Sequence, residues 1–268
     1  MIFDFLFPNR CLDCNQLIDK NEIICEICKD NIHFSNHQFS EINSLKEKVS
    51  LLFPVENAFS LMLYEKESLA QKIIQQLKYN HREKIGKNLA EWTIEKLSFE
   101  EKKPDLIATV PLHPKKLKQR GYNQLHIFGN ELSKHFQIPI SHQLLQRTTH
   151  SKAQAKKGQS ERLKTKNTYQ VTEKIFDKHI LLIDDVYTTG NTSSNIAWEI
   201  LRNSENVKIS LLVMAMDVWN KIFLQRKRQK MNLENYKKEK KTIDLQKANL
   251  IAIIYLVVFT FIFAIPYY

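Results

Sequence analysis

Residues 180–195 read Ile-Leu-Leu-Ile-Asp-Asp-Val-Tyr-Thr-Thr-Gly-Asn-Thr-Ser-Ser-Asn, and no other stretch constrains the fold as tightly. Four consecutive aliphatic residues leave no polar face, so a strand made from them must be covered on both sides. Asp184 and Asp185 stand at its carboxyl end, a polar turn with Gly190 follows, and a helix is expected from Asn191 or Thr192. The same alternation recurs along the chain. Residues 58–64, 105–110, 179–183 and 207–214 are short apolar runs of strand character. Between them, Ile85, Leu89 and Trp92, then Leu125, Phe128, Leu132 and Phe136, then Ile196, Ala197, Ile200 and Leu201 repeat at helical spacing. Buried strands separated by amphipathic helices predict an α/β fold, a parallel sheet covered on both faces, over residues 58–216. A hydrophobic fraction of 43% is ample for such a core and excludes a disordered chain.

Ligands of open α/β sheets bind beyond the carboxyl ends of the strands, where the two aspartates fall. The backbone N–H groups that open the following helix are suited to a phosphate, Gly190 permits a left-handed turn, and Thr188, Thr189 and Thr192 add hydroxyl donors. The turn lacks the GxxxxGK[ST] pattern of a Walker A loop, which removes an ATPase reading. Two adjacent carboxylates do not suit phosphate. They suit hydroxyls, or a sugar ring that acquires positive charge. A solvated turn with a helix cap at Thr192 is the alternative for the same residues.

All four cysteines, Cys11, Cys14, Cys25 and Cys28, lie in the first 28 residues as two Cys-x2-Cys pairs. Two such turns supply four thiolates for a tetrahedral Zn²⁺ with no open position, so the metal would be structural. A module of residues 1–34 is too small to bury enough apolar surface alone, and metal ligation would make up the difference. A pair of redox motifs, or four buried thiols, are the competing readings. The opening ten residues lack the basic start of a signal peptide, which points to a reducing cytosol.

Two basic stretches accompany the aspartate loop. Lys115, Lys116, Lys118 and Arg120 follow the 105–110 strand directly and emerge at the same sheet edge. Residues 147–168 carry seven Lys/Arg and one Glu, suited to a cover over an anion.

The apolar strand, Asp184-Asp185, Val186-Tyr187 and Thr188-Thr189-Gly190-Asn191-Thr192 together resemble the phosphoribosyl-pyrophosphate-binding motif of type I phosphoribosyltransferases. With the four-cysteine module in front, the whole arrangement looks like the ComF/GntX family. Residues 77–90 (LKYNHREKIGKNLA) and 111–124 (PLHPKKLKQRGYNQ), and Arg147, Gln154, Arg162 and Asn167 in a looser pattern, carry that closer match over residues 1–216. The resemblance implies that Asp184 and Asp185 take ribose hydroxyls and that residues 186–192 hold the 5′-phosphate. It also implies Mg²⁺ with phosphoribosyl pyrophosphate, and Lys115, Lys116 and Arg120 beside the leaving diphosphate. Transfer of the phosphoribosyl group to a nitrogen acceptor would follow. Members are linked to natural competence, so competence or DNA-processing proteins are the implied partners. A non-catalytic adaptor or phosphoribosyl-pyrophosphate sensor is the alternative, with direct nucleic-acid binding left open.

Residues 217–268 have no counterpart in that pattern. Of the net charge of +11, +7 falls in residues 220–247, so the rest of the chain is only mildly basic and nucleic acid is weakly indicated. Residues 250–265 are then uncharged and apolar on every helical face. Basic residues before a short apolar run suit attachment of residues 221–268 to an anionic membrane from the cytoplasmic side. A buried helix, or tolerated extra sequence, would explain the run equally.

Overall fold

A computed structural model describes residues 8–78, 83–100, 102–147 and 168–218. Gln154, Arg162, Asn167, the basic cover up to residue 167 and the apolar run at 250–265 lie outside the described residues. Among those described, no helix is long and apolar enough to cross a membrane.

The central sheet is α/β and parallel, as the continuous apolar runs require. It contains β1 (Ala58–Tyr64), β2 (Leu106–Thr109), β3 (Ile140–Ser141), β6 (His179–Tyr187) and β7 (Lys208–Asp217), in the spatial order β1-β7-β6-β2-β3. Every adjacent pair in it is parallel. A separate antiparallel pair joins β4 (Leu145–Arg147) to β5 (Tyr169–Val171), with Arg147 opposite Tyr169. Ile180 to Ile183 are at most 1% exposed, which is the two-sided burial their aliphatic character demanded.

Sequence and structure differ at the end of β6. The strand does not stop before the aspartates but runs through them to Tyr187, because the longer β7 continues the ladder: Asp184 pairs with Val213, Val186 with Ala215 and Tyr187 with Met216. Helices α1 (Glu26–Lys29) and α2 (Ser44–Ser50) precede the sheet. The second forms inside a stretch without clear periodicity because Asn43 caps it, its side chain accepting from the N–H groups of Leu45 and Lys46, while Leu45 and Val49 are fully buried. Helices α3 (Leu69–Lys78) and α4 (Glu83–Lys96) follow β1; α5 (Pro114–Arg120) and α6 (Leu125–Phe136) connect β2 to β3; α7 (Asn191–Asn203) connects β6 to β7.

Those last two connections set the position of the site. From β2 the chain moves outward to β3, and from the neighbouring β6 it moves outward the other way to β7. Right-handed crossovers in opposite directions put α6 and α7 on opposite faces and open a crevice between the carboxyl ends of β2 and β6. Close approach of α6 to the sheet depends on Gly129, where a Cβ would lie 2.7 Å from Ile140 Cδ1 and 3.3 Å from Thr109 Cγ2.

The cysteine module packs against the helices of the same compact unit. Cys11, Ile23, Ile24, Cys28 and Ile32 belong to one continuous buried cluster with the sheet core. Lys72 in α3 reaches Asp13 at 2.7 Å, and Asn88 in α4 donates to the Asn21 carbonyl at 2.8 Å.

Candidate functional site

The crevice is furnished from four directions. Its first wall is the turn after β6, where Gly190 (φ 75°) caps α7 without a side chain. A Cβ there would sit 2.3 Å from Leu52 Cδ1 and 2.7 Å from the Tyr187 hydroxyl, so glycine is required by both φ and space. Residues 186–193 line a small open cleft together with Asp184 and Val213 of β7. Every residue predicted for the phosphate loop, Val186, Tyr187, Thr188, Thr189, Gly190, Asn191 and Thr192, is therefore brought together with Asp184.

The two aspartates do not act as a matched pair. Side chains alternate along a strand, so Asp184 and Asp185 leave β6 from opposite faces. Asp184 lines the cleft, and its Oδ1 accepts from the Asp185 N–H at 2.8 Å. Burial, and then the neighbouring Asp185 charge, push its carboxyl up to about 7. Asp185 instead meets a cation, a side-chain amide and a backbone N–H: Lys78 Nζ lies 2.9 Å from its Oδ2, Gln124 Nε2 donates to the same oxygen at 2.8 Å, and the Val186 N–H donates to Oδ1 at 2.7 Å.

A basic helix with an anchored tail forms the second wall. His113 caps α5, its Nδ1 accepting from the Lys115 N–H, Pro114 occupies the first turn, and Gly121 (φ 80°) ends it. Each of the next three residues is then anchored. The Tyr122 hydroxyl donates to the Leu77 carbonyl at 2.6 Å, Asn123 Nδ2 donates to the Val110 carbonyl at 3.1 Å, and Gln124 reaches Asp185. Arg120 joins this arrangement through Gln124, its Nη1 donating to Oε1 at 3.0 Å. Lys115 and Lys116 are exposed, and among the described residues no hydrogen bond or ion pair joins them to either aspartate.

A cation beside the site escaped the sequence-based selection. Lys78 ends α3, and its only signal was its place in the 77–90 segment. Arg147, which the looser pattern had included, stacks over the Tyr169 ring with its Cζ 5.4 Å from the centroid. The Tyr169 hydroxyl is raised by burial, against the lowering effects of Arg147 and of Thr192 in the turn after β6. The β4–β5 pair thus sets Arg147 beside the loop.

Beyond β2 and β3, His126 and His142 stack with ring centroids 4.0 Å apart. Burial, then His142, pulls His126 down to about 4. His142 Nε2 donates to Asn130 Oδ1 at 2.9 Å, which leaves Nδ1 to accept from the Thr109 hydroxyl at 3.1 Å.

At the far end of the unit, the sulfurs of Cys11, Cys14, Cys25 and Cys28 all lie within 4.8 Å of one another, a set that could hold a metal ion such as zinc. A tetrahedral Zn–S₄ site with bonds near 2.3 Å places its sulfurs about 3.8 Å apart, and Cys14 and Cys25 stand at 3.6 Å. Although burial opposes it, the N–H groups of Cys25, Asp13 and Cys14 lower Cys11 to about 6, while burial and the neighbouring thiols push Cys28 up, so the four cannot all ionise together without a cation among them.

No family model matches the chain. It is 27% identical over 208 residues to Competence protein F of Haemophilus influenzae, a match covering 71% of this chain and 90% of that protein. The DNA utilization protein YhgH of Escherichia coli O157:H7 is 28% identical over 137 residues, 49% of this chain and 60% of that one. Competence protein ComFC of Bacillus subtilis is 30% identical over 113 residues, 39% of this chain and 42% of its own length. The chain thus spans nine tenths of the first relative but less than two thirds of the other two.

Proposed function

The chain belongs to the ComF family, and from that premise we propose that it binds phosphoribosyl pyrophosphate and transfers the phosphoribosyl group to a nitrogen acceptor. One observation carries the reading: a carboxylate, Asp184, forms the floor of a cleft walled by a glycine-capped, hydroxyl-rich turn at the start of a helix. In this reading the backbone of residues 188–192, with Thr188, Thr189 and Thr192, holds the 5′-phosphate. Asp184 and Asp185 accept from the ribose hydroxyls and stabilise the positive charge that develops at C1′ as the bond to pyrophosphate breaks and the bond to nitrogen forms. Arg120, with Lys115 and Lys116 on the exposed helix, faces the departing diphosphate.

Mg²⁺ belongs to this proposal with the diphosphate, and Asp184, which lines the cleft and whose ionised form burial and the Asp185 charge disfavour, is the carboxylate that would face it. When bound, the ion neutralises charge on the leaving diphosphate. Zn²⁺ is the structural metal of Cys11, Cys14, Cys25 and Cys28 in the same proposal. A place in the handling of DNA by competence proteins follows the names of the relatives, and attachment of residues 221–268 to the inner face of a membrane follows their charge and apolarity.

A second reading has its own support: the relatives are named for competence and DNA utilization, not for a transferase. It makes the protein a phosphoribosyl-pyrophosphate sensor or adaptor. Calorimetric titration with phosphoribosyl pyrophosphate and Mg²⁺ comes first, then a pyrophosphate-release assay across nitrogenous bases. Saturable binding with release supports the transferase, binding without release on any base favours the sensor, and no binding rejects both in favour of a plain adaptor.

A further inference from the structure

Gln124 is 4% exposed and stands immediately before α6, with both ends of its amide engaged. Its Nε2 donates to Asp185 Oδ2 at 2.8 Å, and its Oε1 accepts from Arg120 Nη1 at 3.0 Å. These partners dictate the orientation of the amide. A guanidinium only donates and a carboxylate only accepts, so a flipped amide would oppose donor to donor and acceptor to acceptor. Lys78 and the Val186 N–H occupy two further positions on the same carboxylate. Among the described residues these take three of its roughly four acceptor directions, and the fourth lies on Oδ1.

We infer that Gln124 is a positioning residue that couples Arg120, on the diphosphate side of the site, to Asp185, on the ribose side. The inference rests on the phosphoribosyl-pyrophosphate reading. Arginine presents five N–H donors in a rigid fork, enough to hold the Gln124 oxygen and a phosphate oxygen together. Diphosphate binding then immobilises Arg120, Arg120 fixes the amide, and the amide fixes the last free direction of Asp185. The two halves of the ligand are bound better joined than apart. Among the described residues, Asp185 and Arg120 are the charged groups that meet this side chain and Lys78 meets it through Asp185, while Asp184 lies on the other face of β6; His126, two residues along, stays neutral above about pH 4.

The test uses the full chain and calorimetry with Mg²⁺ and three probes: phosphoribosyl pyrophosphate, inorganic pyrophosphate and ribose 5-phosphate. Gln124→Glu keeps an acceptor for Arg120 but at pH 8 sets one carboxylate against another; near pH 5.5 the new side chain carries a proton that it donates to Asp185 as the amide did. At pH 8 the variant is expected to bind phosphoribosyl pyrophosphate about tenfold more weakly than the parent, with pyrophosphate changed less than about twofold. Near pH 5.5 the ratio of parent to variant should fall back to about threefold or less, the shared titration of Asp184 and of the phosphates cancelling in the ratio. Unchanged binding, equal losses for both probes, or a loss that ignores pH overturns the inference while leaving the reading intact. Failure of the parent to bind phosphoribosyl pyrophosphate at all overturns the reading itself. Should Gln124→Glu not fold, Arg120→Met on the half-buried end of α5 tests the link from the other side. Ribose 5-phosphate should then weaken by about threefold or more through the lost brace, and an unchanged affinity overturns the coupling.

Discussion

At the scale of single residues, the two aspartates of one motif differ in their surroundings. Asp185 meets Lys78 and Gln124 at one oxygen and the Val186 N–H at the other, whereas the carboxyl of Asp184 is raised to about 7 by burial and by its neighbour. Between the ordinary carboxylate range and about 7 the folded chain retains a proton that the unfolded chain has released, so stability falls as pH rises through that window. Asp184→Asn is therefore expected to raise stability at pH 8, on the order of 2 kcal/mol, and to give no gain near pH 3, where both states are protonated. Urea unfolding at the two pH values checks it; a gain that is the same at both would mean that charge is not the cause. Gly190→Ala meets both a left-handed backbone and Leu52 Cδ1 at 2.3 Å, and should cost roughly 1–3 kcal/mol. Thermal unfolding within a degree of the parent would show that the turn relaxes freely.

Between elements, the cysteine module and the sheet share a core. Cys11, Ile23, Ile24, Cys28 and Ile32 pack in the same buried cluster as the sheet, and the Asp13–Lys72 and Asn21–Asn88 contacts tie the module to α3 and α4. Lys78, at the end of α3, holds Asp185, so loosening the module reaches toward the site. Chelation of the metal should lower the unfolding temperature of the whole unit in one transition, and not release residues 8–34 alone. Calorimetry with and without a strong chelator reads this directly. Two separate transitions after chelation, the upper one at the original temperature, would show that the helices stand without the module.

For the whole molecule, the compact unit ends at Val218, whose N–H reaches the Tyr64 carbonyl while Lys48 Nζ donates to the Asp217 carbonyl. A chain cut after Val218 keeps these last contacts and should bind phosphoribosyl pyrophosphate with the affinity of the full chain. The full chain, carrying the basic and apolar residues 221–268, should sediment with anionic vesicles and resist carbonate extraction. Full-length protein that stays in the supernatant with such vesicles would end the tether proposal.

The sequence alone determined the fold class, because an aliphatic run without a polar face allows only a strand covered on both sides. It also determined the residues of the turn after β6 and the cysteine set, since both are local: contiguous side chains and short turns keep their spacing whatever the rest of the chain does. Asp184 and Asp185 were equally visible as residues, but their unlike environments were not, because the continuation of β6 alongside β7 sends them to opposite faces. Lys78, Gln124 and Arg147 were decided by tertiary structure. Lys78 lies 107 positions before Asp185 and Gln124 lies 61 before it, and no periodicity records which distant strand end a side chain will meet. That meeting is set by the crossovers from β2 and β6, whose opposite directions open the crevice where these residues converge.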